Sequence, residues 1–222
     1  MGPCYNLMPM SLLPPDDDLD LLHTRNYEVR VYHHAEDQLL VRGAISDMKP
    51  AGLYVEGDPE PLEIHQMQVQ WIVQLPDLEI IDAGVVFETH PHPSCPGIAA
   101  HYEKLVGLKV ARGFTHKVRE LFGGPRGCTH TTALLQAMGP AVVQSTWSVS
   151  VKKAREEGLP EGAPDSDNRE RRIMGNINTC HVWDEEGEHV AAIKAGEAYQ
   201  PPLQVTERLV HLGRDPEEWR LG

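Results

Sequence analysis

The residues best suited to chemistry lie in segment 123–130, Gly-Gly-Pro-Arg-Gly-Cys-Thr-His, where a glycine-rich turn precedes a predicted helix. The unpaired N–H groups and the positive dipole end of a helix start favour negative charge. Cys128 is therefore predicted to favour its thiolate and to act as nucleophile or acid/base, with His130 exchanging protons. The competing interpretation is that Cys128 is an inert thiol beside Thr129, which caps the helix.

Two further residues are predicted to join this catalytic site. Cys95 lies in the proline-rich loop 90–96, and a loop that leaves a sheet edge can face a helix start. His65 begins a predicted strand, although a lone histidine is more often a hydrogen-bonded structural group. The residues predicted to bind substrate are Arg126, Arg25 and Trp71. The site is that of an enzyme for a small organic molecule, with hydrolysis, isomerisation and cyclisation all compatible.

A metal site is the alternative. Tetrahedral zinc is bound by sulfur and nitrogen ligands, and iron–sulfur clusters are held mainly by cysteine. The spacing here is not the compact Cys-x-x-Cys of a zinc finger. In this interpretation zinc or an iron–sulfur cluster is bound without turnover, whereas the enzyme interpretation requires no cofactor. The candidate ligands are Cys95, Cys128, His130, Cys180 and His181.

The charge and the missing motifs exclude several classes of function. The formal net charge is −13, which disfavours nucleic acid and anionic membrane surfaces as partners. The sequence contains no Gly-x-Ser-x-Gly elbow, no phosphate-binding loop and no dinucleotide fingerprint. A third hypothesis is a non-catalytic binding module that uses the acidic surface or the polar loop 158–172.

The cysteine usage predicts a reducing compartment. The 4 cysteines are too sparse for a disulfide framework in a chain of 222 residues. No secretory signal and no stretch of membrane-spanning length is visible. We therefore expect a cytoplasmic protein with free or metal-bound thiols.

Alternating apolar residues predict two antiparallel hairpins in the first part of the chain. The first pairs a strand around Tyr27 with one around Val41, and the second pairs strands around Trp71 and Val85. Asp47 and Lys49 are predicted to form a salt bridge at a strand end. An edge strand left uncovered would favour a homodimer.

A change to helical spacing follows the strands. Helical segments are predicted at 97–106, 112–122 and 128–157, with a kink or interruption at Gly139-Pro140. A strand or hairpin turning at Glu186-Gly187 is predicted within 176–193. The organisation is an arm at 1–25 and one domain at 26–222, with 158–172 as an exposed loop. The fold class is α+β: an antiparallel β-meander with helices packed on one face.

The order of several short motifs resembles a known bacterial family. They are His23-Thr24-Arg25, Asp47-Met48-Lys49, Ile64-His65-Gln66-Met67, Cys95, Leu105-Val106-Gly107-Leu108, Gly113-Phe114 and Gly127-Cys128-Thr129-His130. Together they resemble the domain-of-unknown-function family numbered 2889, over residues 20 to 195. The resemblance implies a fold and a site, and the family carries no settled activity.

A second stretch is similar to iron–sulfur scaffold proteins of the NifU type. In those proteins a strand runs into a cysteine loop, helices follow, and a later cysteine starts a helix. The matching residues here are 80–87, then Cys95, then Cys128. The likeness implies a SufE/NifU-like arrangement of sheet and helices. It does not supply a counterpart for the scaffold's first cysteine.

Overall fold

The computed structural model describes residues 12–14, 18–158, 175–195 and 202–219. Its centre is a 4-stranded antiparallel sheet in the order β1-β2-β3-β4. The strands are β1 (Thr24–Ala35), β2 (Gln38–Lys49), β3 (Leu62–Gln74) and β4 (Glu79–Thr89). Each strand pairs with the next along the chain, so the predicted meander of two hairpins is confirmed.

One face of the sheet forms the hydrophobic core. Successive side chains of a strand point to opposite faces, so alternate residues are buried. On β2 and β3 the buried hydrophobic residues are Leu39, Val41, Ile45, Met67, Val69, Trp71 and Val73. This period of two is the pattern that predicted the strands.

Helices cover the buried face. The α-helices are α1 (Phe114–Phe122), α2 (Thr129–Glu156), α3 (Glu188–Lys194) and α4 (Leu203–His211). Short 3₁₀ helices occupy Cys95–Leu105, Gly124–Arg126, His181–Trp183 and Pro216–Glu218. Helix α2 packs directly on β2: a Cβ atom added at Gly43 would lie 2.6 Å from the sulfur of Met138. The α+β class is confirmed, and no helix of the described ranges could cross a membrane.

Of the kink or interruption predicted at Gly139-Pro140, the interruption is wrong, because α2 continues through Pro140. The kink stays a prediction. A proline inside a helix removes one backbone hydrogen bond and costs about 3 kcal/mol. The helix buries Leu134, Leu135, Met138 and Val142 on either side of this point, and their packing against the sheet offsets that loss.

Two other segments differ from the prediction, and a third lies mostly outside the described residues. The strand or hairpin expected within 176–193 is wrong, since that segment holds the 3₁₀ helix His181–Trp183 and helix α3. A short apolar run does not separate a strand from a helix by its period alone. Strand β1 begins at Thr24, inside the predicted arm. Most of the predicted loop 158–172 lies outside the described residues.

Candidate functional site

The register of the first three strands places one row of polar residues at the same end of the sheet. Arg25 of β1 lies opposite Asp47 of β2, and Asp47 lies opposite His65 of β3. Residues directly opposite one another on neighbouring strands are close enough for their side chains to interact. His23 immediately precedes β1 and lies at the same end.

Asp47 is the centre of this row, and its side chain is only 2% exposed. Arg25 donates two hydrogen bonds to it, from Nε to Oδ1 at 2.6 Å and from Nη2 to Oδ2 at 2.7 Å. Three imidazole nitrogens surround the same carboxylate. His23 Nε2 lies 3.2 Å from Oδ1, and His65 Nδ1 and His130 Nε2 each lie 3.1 Å from Oδ2.

Helix α2 supplies the fourth element of the site. His130 lies in its first turn, and the ring of His130 stacks on that of His65 with centroids 3.8 Å apart. The second ring nitrogen of His130, Nδ1, lies 3.7 Å from Cys128 Sγ. The two nitrogens of His130 therefore face different partners, a carboxylate on one side and a thiol on the other.

Cys128 is held in place by its backbone. Its N–H donates to the hydroxyl of Tyr102 at 2.7 Å. Tyr102 is buried and stacks on Phe122 with centroids 4.8 Å apart, while the Thr132 hydroxyl donates to the Phe122 carbonyl at 3.0 Å. These contacts fix the turn between α1 and α2, so the thiol has a defined position at the start of the helix.

Replacing Gly127 with alanine should disturb this turn. An added Cβ atom would lie 2.5 Å from the carbonyl oxygen of Phe122 and 3.0 Å from the Tyr102 hydroxyl. We expect Gly127→Ala to lower the free energy of unfolding by about 1–3 kcal/mol, measured by urea denaturation. Gly84→Ala is the control, because no described atom lies within 4 Å of its Cβ position. Equal effects of the two substitutions would contradict the close packing at Gly127.

The charges of the site shift the pKa values of its members. Burial alone would raise the pKa of Asp47, but the hydrogen bonds and charge of Arg25, with His130 and His23 nearby, lower it to about 2. The same pairing raises the pKa of Arg25. Burial lowers the pKa of His130, and the neighbouring His65 lowers it further while Asp47 opposes the change. Neutral His130 beside ionised Asp47 is therefore the state expected near neutral pH.

Acid should remove the stabilisation that Asp47 contributes. Its pKa in the folded protein, about 2, lies below its ordinary value of 3.8, so the contribution is complete above about pH 5. It is lost as the pH falls towards 2, and a shift of this size corresponds to roughly 2 kcal/mol. The measurement is the difference in unfolding free energy between wild type and Asp47→Asn, in EDTA, from pH 5 to 2. The difference should shrink with falling pH, and a constant difference would contradict the assignment.

Of the predicted catalytic residues, the structure brings Cys128, His130 and His65 together. Cys95 is half-buried against the hydrophobic core, at the start of the 3₁₀ helix that follows β4. Strand β4 ends at Thr89 opposite Gln66, so the loop to Cys95 leaves the same end of the sheet as His65.

The predicted sulfur-rich ligand set does not assemble in the described ranges. Cys180 and His181 are exposed around the 3₁₀ helix His181–Trp183. Only His130 of the predicted ligands belongs to a group of three ligating side chains in the part of the chain described. That group is Asp47, His65 and His130.

The predicted substrate-binding residues lie in different places. Arg25 is in the site, bound to Asp47. Arg126 is exposed and donates to the carbonyls of Glu120 and Arg119, where it caps the end of α1. Trp71 is completely buried in the core, with Phe114 edge-on at 5.7 Å between ring centroids.

Sequence reasoning missed the roles of Asp47, His23 and Tyr102. The predicted partner of Asp47 is Lys49, which instead lies 5.2 Å from the centre of the Tyr54 ring. The available signal was the register of the meander: alignment of the hairpins puts Arg25, Asp47 and His65 side by side. Tyr102 lacks such a signal, because it comes from an irregular helix far away in sequence.

The fold and site define an α+β domain in which a carboxylate, an imidazole and a thiol lie in series. A family model described as "Protein of unknown function (DUF2889)" matches residues 23–144. Because this match covers more than half of the 222 residues, the chain belongs to that family. The matched region contains every residue of the site from His23 to His130. Comparisons with curated proteins and with solved structures give no match.

Proposed function

We propose that the protein is an enzyme that acts on a small organic molecule, with Cys128 as the nucleophile and His130 as its proton acceptor. The observation that carries the proposal is the position of the His130 ring. Its Nδ1 lies 3.7 Å from Cys128 Sγ, and its Nε2 lies 3.1 Å from Asp47 Oδ2. A nucleophile beside a base that a third group orients is the general arrangement of nucleophilic catalysis.

The tautomer of His130 follows from these contacts. Ionised Asp47 only accepts hydrogen bonds, so it favours the tautomer with the proton on Nε2. The lone pair on Nδ1 then faces the thiol and can take its proton, which leaves a thiolate paired with an imidazolium. Asp47 stabilises the charge that forms on the ring, and Arg25 keeps Asp47 in position.

The start of α2 supports the same chemistry. Among the residues that the structure describes, no side chain caps this helix, and no acidic residue lies in its first turn. The first-turn N–H groups of Thr129 and His130 are therefore available for negative charge that develops on a substrate. Hydrolysis, isomerisation and cyclisation all use a thiolate or its proton, and the proposal covers this shared step.

The expected partners and location belong to the same proposal. The net charge of −13 supports a small-molecule substrate over nucleic acid. Free Cys95, Cys128 and Cys180 support a reducing cytoplasm. A homodimer through an edge strand and a NifU-like arrangement of the sheet and helices are further expectations.

Acetylation by p-nitrophenyl acetate tests the proposal. The Cys128 thiolate attacks the acetyl carbonyl and p-nitrophenolate leaves, so a burst should appear with about one acetyl group on the peptide that contains Cys128. Cys128→Ser should lose the burst, and Cys180→Ser, which removes an exposed thiol, should keep it. EDTA is present throughout. A burst that survives Cys128→Ser would contradict the proposal.

A further inference from the structure

We propose that a divalent transition-metal ion binds between Asp47, His65 and His130, on the side of the His130 ring opposite Cys128. Any effect of the ion on catalysis rests on the proposed function, because the ion and the Cys128 thiol would both contact His130. The binding itself rests on the separate geometry of three ligating side chains.

The distances match those around a metal ion. Zn²⁺ and similar ions lie about 2.0–2.2 Å from imidazole nitrogen and carboxylate oxygen. At tetrahedral or octahedral angles, neighbouring ligand atoms are then about 2.9–3.5 Å apart. His65 Nδ1 and His130 Nε2 each lie 3.1 Å from Asp47 Oδ2. All three ligand atoms lie within 4.8 Å of one another.

The nitrogen of His65 provides independent support. His65 Nδ1 is fully buried, and in the described part of the protein it has no hydrogen-bond partner. Its distance of 3.1 Å to Asp47 Oδ2 is short, but the ring is not aligned to donate a hydrogen bond to that oxygen. A buried polar atom without a partner is costly. A metal ion between the two atoms would be the missing partner.

Arg25 would be an outer-sphere residue that hydrogen-bonds the metal-binding carboxylate of Asp47. Carboxylates that bind metals are usually themselves hydrogen-bonded, and such contacts orient them. Arg25 holds both oxygens of Asp47 and fixes the plane of the carboxylate. Arg25 comes from β1, on the other side of β2 from His65, and Asp47 Oδ2 still lies 3.1 Å from a nitrogen of each histidine.

Two imidazoles and one carboxylate select the class of ion. Imidazole suits Zn²⁺, Fe²⁺, Co²⁺ and Ni²⁺, whereas Mg²⁺ and Ca²⁺ prefer oxygen ligands. Three protein ligands leave at least one position for water or substrate. The side chains of His65 and His130 are each 19% exposed, so the group is reachable from solvent.

The position of the ion relative to Cys128 gives it a role. An ion on Nε2 would displace the proton there to solvent, while the proton that Nδ1 takes from the Cys128 thiol stays on the ring. That proton points to Cys128 Sγ at 3.7 Å and can be donated to a thiolate. The ion would therefore hold the ring in the state that stabilises the reactive sulfur.

Titration with Co²⁺ and Zn²⁺ tests the inference. Untagged full-length protein is treated with EDTA, desalted and titrated with each ion, followed by calorimetry and by Co²⁺ absorption. Wild type should bind one equivalent, with the band intensity of a nitrogen- and oxygen-ligated Co²⁺ site. His65→Phe, which keeps an aromatic ring on His130, should weaken binding at least about 100-fold, as should His130→Gln. His116→Gln changes an exposed histidine of α1 and should bind like wild type.

The outcomes separate this inference from the proposed function. Circular dichroism first establishes that each variant is folded. Binding that is equal in wild type, His65→Phe and His130→Gln would overturn the inference, as would no binding by wild type. In either case the acetylation of Cys128 in EDTA still reports on the proposed function alone. Metal binding without that acetylation would keep the site and remove the nucleophile.

Discussion

Asp47→Ala is expected to lower the free energy of unfolding by about 2–3 kcal/mol. The side chain is buried and accepts both hydrogen bonds from Arg25, with three histidines around it. Removing it breaks both hydrogen bonds from Arg25, whose own side chain is 34% exposed and keeps part of its hydration, so the main loss is the charged hydrogen bonds themselves. Urea denaturation at neutral pH in EDTA measures the change.

Asp77→Ala is the matched control for Asp47→Ala. Asp77 also pairs with a cation, Lys109 at 3.0 Å, but its side chain is 65% exposed. Surface ion pairs contribute about 0–1 kcal/mol, so its removal should have a small effect. Similar losses from the two substitutions would show that Asp47 is not the buried centre of the site.

His130→Gln is expected to slow the reaction of Cys128 with iodoacetamide by about 100-fold, the lower end of what a positioned base contributes. The glutamine side chain has no basic nitrogen to take the thiol proton, and the alkylating form of cysteine is the thiolate. Peptide mass spectrometry gives the rate at each cysteine in the same sample. EDTA keeps the result independent of bound metal.

Cys180 is the internal control for that reaction. It is exposed and distant in sequence, so its alkylation rate should be the same in wild type and His130→Gln. In wild type, half-buried Cys128 should react faster than exposed Cys180. The gain in thiolate that His130 gives Cys128 should exceed the loss of rate caused by its partial burial. A Cys128 rate that is unchanged by His130→Gln would remove the base from the proposed mechanism.

The sequence could predict the sheet because its pattern is local. Alternating burial along β2 and β3 has a period of two, and short turns join β1 to β2 and β3 to β4. The thiol and the imidazole of α2 were also predictable, since Cys128 and His130 are two residues apart at the helix start. Features that depend on residues close together in the sequence, such as the strands and the Cys128-His130 pair, could therefore be predicted.

The centre of the site could not be predicted in the same way. Asp47 gains its role from partners on three other elements, namely Arg25 on β1, His65 on β3 and His130 on α2. A pattern along one strand does not specify which charged residue at its end is covered by a helix. Local sequence suggests the nearby Lys49 as the partner of Asp47, but in the folded protein Asp47 pairs with Arg25 instead.

The errors in the helical half have the same origin. Gly139-Pro140 breaks a helix by local rules, but the packing of α2 on the sheet keeps it continuous. The sulfur-rich ligand set was chosen from residue types alone, and the ligating side chains that lie together in the described ranges are Asp47, His65 and His130.

The most direct test of coupling within the site is a double-mutant cycle on the alkylation rate of Cys128, measured in EDTA with Asp47→Asn, His130→Gln and the double variant. If Asp47 acts through the His130 ring, the double variant should react no more slowly than His130→Gln alone. Independent effects that multiply in the double variant, or an Asp47→Asn protein that is folded and reacts at the wild-type rate, would contradict a carboxylate, an imidazole and a thiol working as one unit.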